Sequence, residues 1–154
     1  MAEIDLYHCT WDVQHPDKEK FPNLSGILRC HLQEWKHCYF CWDTLAKMGH
    51  VYESDNSIEF TDLKQLEQQC RTTKEGVCEI FEMSEDDVMT FCKEHQDDHI
   101  SKEHSHSLCE LIGLDCPCTY IDVFMTIEFL NDILCWLDTY PAKDEYFYEF
   151  RFTY

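Results

Sequence analysis

The segment YFYEFRFTY alternates without a break, with Tyr146, Tyr148, Phe150, Phe152 and Tyr154 on one side. That is the period-two signature of a β-strand. A second strand is predicted over 3–13, EIDLYHCTWDV, with Asp5, Tyr7, Cys9, Trp11 and Val13 facing one way and Ile4, Leu6, His8 and Thr10 the other. A helical period governs 121–140, where Val123, Ile127, Leu130, Leu134 and Leu137 step by 4, 3, 4 and 3. Pro141 stops it. Between these, 50–53 and 57–60 read as a hairpin turning at Asp55-Asn56, and Thr61 caps a short helix over 62–70. A turn at 72–76, a strand at 77–83 and a helix from Ser84 to about His99 follow, with Phe81, Val88, Phe91 and Cys92 available to a core. Residues 100–107 read as a polar loop, 108–114 as a short apolar segment, and Pro117 breaks the chain after it. Strands and helices are segregated, which predicts an α+β fold over 1–154 as one domain. The expectation is a small antiparallel sheet including both terminal strands, packed against two long amphipathic helices.

One stretch supports two incompatible readings. In 24–49, LSGILRCHLQEWKHCYFCWDTLAKMG, the residues Leu28, Leu32, Trp35, Tyr39, Trp42 and Ala46 step by 4, 3, 4, 3 and 4. As a helix, this is an amphipathic rod capped by Asn23 or Ser25 and ended by Gly49, with Cys38 a core thiol beside Trp35 and Trp42. As a turn around Cys38-Tyr39-Phe40-Cys41, it is half of a zinc site that needs two further ligands. The next cysteines, Cys70 and Cys78, are too widely spaced to supply a regular second half. A redox role for the pair is disfavoured by the lack of a hydrophobic strand leading into it and of a βαβ pattern after it.

Charge changes the picture more than composition does. The net charge of -19 repels phosphate backbones, so direct nucleic-acid binding is disfavoured and a basic protein surface is the expected partner. Acidity for solubility alone is the competing explanation. No window approaches 18 uncharged apolar residues and no basic-then-apolar leader opens the chain, so an intracellular (cytoplasmic or nuclear) location is expected. In such a compartment the eleven cysteines are expected as thiols or metal-bound thiolates.

The densest candidate chemistry lies in 92–118. Cys92, His95 and His99 fall at i, i+3 and i+7, which one helix face would align, and His104, His106 and Cys109 follow, with Cys116 and Cys118 behind them. Nitrogen and sulfur donors at these spacings suit zinc, and Cys38 and Cys41 are the other candidate ligands. The bland alternative is solvated histidines and core thiols. The chain has no H-E-x-x-H, P-loop, G-x-S-x-G or G-x-G-x-x-G.

The segment SLCELIGLDCPCTYIDVF (107–124) resembles the central helix of poxvirus helical-bundle inhibitors of host signalling, and FMTIEFLNDIL is similar to a later helix of that family. Such a resemblance implies an all-helical bundle, from which Pro117 and the strands at 3–13 and 146–154 depart. By composition the chain also looks like viral accessory proteins that disable host defences. The expected function is a non-enzymatic acidic interaction module, an adaptor or inhibitor, with a possible structural zinc. A zinc-dependent hydrolase built on His95 and His99 and a nucleic-acid mimic filling a basic groove are the alternatives.

Overall fold

The first and last strands pair with each other in the middle of the sheet. The computed structural model describes residues 3–11, 27–52, 56–114, 118–141 and 146–154. In chain order these form β1 (Glu3–Trp11), β2 (Ile27–Lys36), α1 (Tyr39–Met48), β3 (His50–Tyr52), β4 (Ser57–Phe60), α2 (Leu63–Phe81), α3 (Glu85–Glu94), α4 (Lys102–Ile112), α5 (Tyr120–Thr139) and β5 (Tyr146–Thr153). The sheet runs β2-β1-β5-β4-β3, with every neighbouring pair antiparallel. The α+β expectation holds, and α2 and α5 are the two long helices.

Alternation along the strands gives the sheet two unlike faces. One carries Ile4, Leu6, Ile58, Tyr148 and Phe150, all without exposure. Phe129 of α5 packs on this face, 4.6 Å from the Trp35 ring and 6.2 Å from that of Phe150. Polar bonds lock the same contact: Gln33 Nε2 and Trp35 Nε1 both donate to Asp132 of α5, and Trp136 Nε1 donates to Gln33. The five positions predicted to face inward on the 121–140 helix, Val123, Ile127, Leu130, Leu134 and Leu137, are all buried. Phe129 and Ile133 are buried as well, because α5 is wrapped by α1, α2, α3 and the sheet.

The 24–49 stretch is not one helix. Residues 27–36 are an edge strand and 39–48 a separate helix, joined at His37 in a left-handed conformation (φ 60). Pairing of β2 with β1 supplies backbone bonds that outcompete the helical stripe. A bulge between the Leu6↔Gln33 and Tyr7↔His31 pairs leaves Leu32 as an extra residue. Gly49 is extended (φ -141), not left-handed; it is there for room, since a Cβ would lie 2.7 Å from the Phe60 ring. The proposed caps Asn23 and Ser25 lie outside the described residues, as do 12–20, 53–55 and 115–117.

Downstream, the short helix, turn and strand expected over 62–83 are one helix, α2, capped by Asp62 instead of Thr61. Its buried stripe is Leu63, Leu66, Cys70, Thr73, Val77 and Phe81. Gly76 sits inside it where Leu111 of α4 approaches, and a Cβ would meet that side chain at 2.8 Å. The next helix starts at its expected cap, Ser84, but ends at Glu94. The polar loop expected over 100–107 is mostly the start of α4, capped by Ser101 and held down by Leu108 and Ile112. The segment 107–124 is accordingly two helices, α4 and α5, and not a single central one.

Candidate functional site

Helices α2, α3 and the start of α4 carry acids with few counter-charges. Within 75–103 lie Glu75, Glu79, Glu82, Glu85, Asp86, Asp87, Glu94, Asp97, Asp98 and Glu103 against Lys93 and Lys102. All but the half-buried Glu85 are exposed. Glu85 is bound to Lys74 at 2.8 Å and accepts from Asn131; Asp98 meets His95 at 2.9 Å. The remaining eight have no ion pair among the described residues. Lys93 is turned away toward α5, 5.5 Å above the Phe124 ring.

Helix electrostatics sorts these acids into two groups. Glu85, Asp86 and Asp87 occupy the first turn of α3, where the positive end of the dipole stabilises them. Glu79 and Glu82 sit at the C-terminal end of α2, which has no basic residue in its last turn, and Glu94 ends α3. There the dipole opposes a negative charge. Glu82 also adopts a left-handed backbone (φ 54), a conformation that glycine or asparagine fills more cheaply.

The second sheet face, with Cys9, Phe147 and Glu149 buried on it, holds its charge differently. Glu149, 2% exposed, accepts from both Arg29 (Nε to Oε1, 3.2 Å) and Arg151 (Nε to Oε1, 2.5 Å). Burial and the neighbouring Glu149 raise the Glu59 carboxyl above its ordinary value. Toward the other end of β1, the ligand oxygens of Glu3, Asp5 and Glu34 lie within 4.8 Å of one another, so these three carboxylates can coordinate a metal ion. Asp5 and Glu34 are directly opposed across the β1–β2 ladder, a repulsive placement. It is moderated by His31 on Asp5 at 2.8 Å and Lys36 on Glu34 at 3.5 Å. A hydrogen bond with Glu34 and the surrounding negative charge raise the Glu3 carboxyl.

The residues expected to bind zinc are dispersed. Cys92 is buried in α3, and burial pushes its thiol up to about 12. His95 caps the end of α3, its ring 4.5 Å from Phe91 and its Nδ1 on Asp98. Because α3 stops at Glu94, Cys92, His95 and His99 never share a helix face; His99 is exposed and bridges to Thr119 through its backbone. His104 packs on Phe81 at 4.6 Å with Nδ1 buried and unbonded, while His106 points outward to Glu110 at 3.1 Å. Cys109 donates its thiol hydrogen to the Leu114 carbonyl. Among the described residues, no three of these donors lie within 4.8 Å of one another. Cys116 is outside the described residues.

Cys38 and Cys41, by contrast, are brought together. Cys38 is the N-cap of α1, and the Cys41 N–H donates to its carbonyl at 2.9 Å. No disulfide joins any two of the described cysteines. On the covered sheet face, His8 is nearly buried among Tyr140, Tyr146 and Tyr148 with Nε2 unbonded, and burial lowers its pKa.

Sequence reasoning missed the Glu3–Asp5–Glu34 cluster. Glu3 and Asp5 at i, i+2 on a predicted strand were a usable signal, but Glu34 joins them only once 27–36 is a strand. No helix among the described residues is long and apolar enough to cross a membrane. Comparison with models of protein families, with curated proteins and with solved structures finds no match for this chain.

Proposed function

We propose that the protein is a non-enzymatic interaction module whose α2–α4 acidic face binds a basic surface on another protein, as an adaptor or as an inhibitor occupying a basic groove. The observation that carries this reading is the exposed carboxylates at helix C-termini, Glu79, Glu82 and Glu94, with no ion pair among the described residues. Charge placed for solubility alone gains nothing from positions where the helix dipole opposes it. Charge placed for a partner accepts that cost, because complementary potential accelerates encounter and selects the partner.

A lysine- and arginine-rich peptide labelled for fluorescence anisotropy tests it. The triple variant E79Q/E82Q/E94Q is compared with E110Q/E128Q/D138N, which removes as many exposed acids from α4 and α5. The first should weaken binding roughly tenfold at low salt, since each exposed pair contributes up to about 1 kcal/mol, and the second less than about twofold. Affinity should also fall steeply with added salt. Equal losses in the two variants would reduce the effect to net charge. Salt-independent binding would remove the electrostatic account.

In the same reading, an ion held by Glu3, Asp5 and Glu34 is hard and oxygen-seeking, of the calcium or magnesium kind, because an all-carboxylate set lacks the nitrogen and sulfur donors zinc prefers. A structural zinc would need the nitrogen and sulfur donors of 92–118, which lie apart among the described residues. Elemental analysis of protein purified without chelators separates the two metals.

A further inference from the structure

The pair Cys38 and Cys41 sits where an edge strand turns directly into a helix. β2 ends at Lys36, His37 takes the left-handed conformation, and α1 begins one residue after Cys38. The strand that leads into the C-x-x-C is a largely exposed edge strand, not a hydrophobic one, and no βαβ unit follows it. We propose that Cys38 and Cys41 form a redox-active dithiol that a small hydroperoxide converts to an intramolecular disulfide.

Geometry permits the bond. The 2.9 Å hydrogen bond from Cys41 N–H to the Cys38 carbonyl closes one tight turn. Residues i and i+3 of such a turn have Cα atoms less than about 7 Å apart, which overlaps the span of roughly 4.4–6.8 Å that a disulfide needs. Cys38 and Cys41 are both buried at the start of α1, so the same turn keeps the two residues side by side.

The two sulfurs have different surroundings, and the difference assigns their roles. Cys38 caps the N-terminus of α1 and keeps slight exposure, and its surroundings, the neighbouring Cys41 first, hold its thiol below the ordinary value. Its place at a helix N-terminus adds to the stabilisation of a thiolate. Cys41 has no exposure, and burial, with Cys38 and the Asp122 carboxylate of α5 nearby, pushes its thiol well above the ordinary value. Cys38 is thus the attacking sulfur and Cys41 the resolving one. With Cys38 only 3% exposed, the reaction is restricted to small oxidants.

In the first step the Cys38 thiolate attacks one oxygen of the hydroperoxide. The S–O bond forms, the O–O bond breaks, and the departing alkoxide or hydroxide takes a proton from solvent. In the second step the Cys41 sulfur attacks the Cys38 sulfenic acid. The S–S bond forms, the S–O bond breaks, and the hydroxide leaves as water with the Cys41 proton. Two thiols and one hydroperoxide give a disulfide, an alcohol (or water) and one water. A dithiol reductant reverses the change by thiol–disulfide exchange.

Hydrogen peroxide added to the full chain near neutral pH, followed by differential alkylation and peptide mass mapping, tests the assignment. Cys30 and Cys135, both exposed, serve as internal controls. The expected result is a Cys38–Cys41 linkage formed roughly tenfold faster than either control reacts, as thiolate character and not exposure would dictate, and reversed by dithiothreitol. In Cys41→Ser, or Cys41→Ala should the first fail to fold, a dimedone adduct accumulates at Cys38; in Cys38→Ser none appears at Cys41. Oxidation of Cys30 or Cys135 as fast as Cys38, or a linkage to any other cysteine, overturns the proposal.

Discussion

The sheet face that carries Glu149 and the α2–α4 face are both acidic, yet they handle charge in different ways. On the sheet, Glu149 holds two arginines, Asp5 a histidine and Glu34 a lysine, while Glu3 and Glu59 have no ion pair among the described residues. On the helices, eight exposed acids have no ion pair among the described residues, and some of them stand at helix ends where the dipole opposes them. The first arrangement is what folding requires of a carboxylate taken from water. The second is not required by folding at all. Paired charge here belongs to the architecture, and the unpaired charge is what the proposed partner contact is built from.

The largest effect that sharpens this contrast is expected at Glu149. Glu149→Ala leaves Arg29 and Arg151 without their shared carboxylate; both are partly exposed, so the cost is about 2 kcal/mol and not the full penalty of a buried charge. Urea unfolding measures it, and peptide binding should be unchanged. A loss below about 0.5 kcal/mol would place Glu149 among the dispensable surface acids.

A smaller effect is expected at Glu85, the acid of the helical face that is paired with a lysine. The hydrogen bond and charge of Lys74 hold the Glu85 carboxyl below its ordinary 4.5. The folded chain therefore stays ionised where the unfolded chain binds a proton. The stabilisation is whole above about pH 4.5 and is lost as pH falls through the lower, folded value. Lys74→Met should cost about 1 kcal/mol at neutral pH, reduced because Glu85 is over a third exposed, and should flatten the pH dependence below 4.5. An unchanged acid limb in the variant would mean that other carboxylates set it. Smallest of all is the stability change in E79Q/E82Q/E94Q, within about 0.5 kcal/mol and of stabilising sign, because it relieves the dipole penalty.

How much of this was legible in the sequence depended on whether one period governed each element. In α5 and β5 it did, and both were read to within a residue or two. In 24–49 the bulge at Leu32 inserts an extra residue into β2, so Leu28, Leu32 and Trp35 fall at steps of 4 and 3 and imitate a helix. In α2 the run Thr72-Thr73 and Gly76 suggests a turn, and only the approach of Leu111 explains a glycine inside a helix. The acidity was legible as net charge but not as a face, because its position depends on α3 and α4 both packing against α2. The cysteine pair is visible as a C-x-x-C motif, but the turn that brings Cys38 and Cys41 together follows a strand that the imitation helix conceals.

The most direct measurement is a nuclear magnetic resonance titration of the isotopically labelled chain with the lysine- and arginine-rich peptide. Amide shifts concentrated in 75–103, with β1, β2 and β5 still, are the predicted result. Shifts centred on Glu3, Asp5 and Glu34, or spread evenly over every exposed acid, would contradict the division between architectural and available charge.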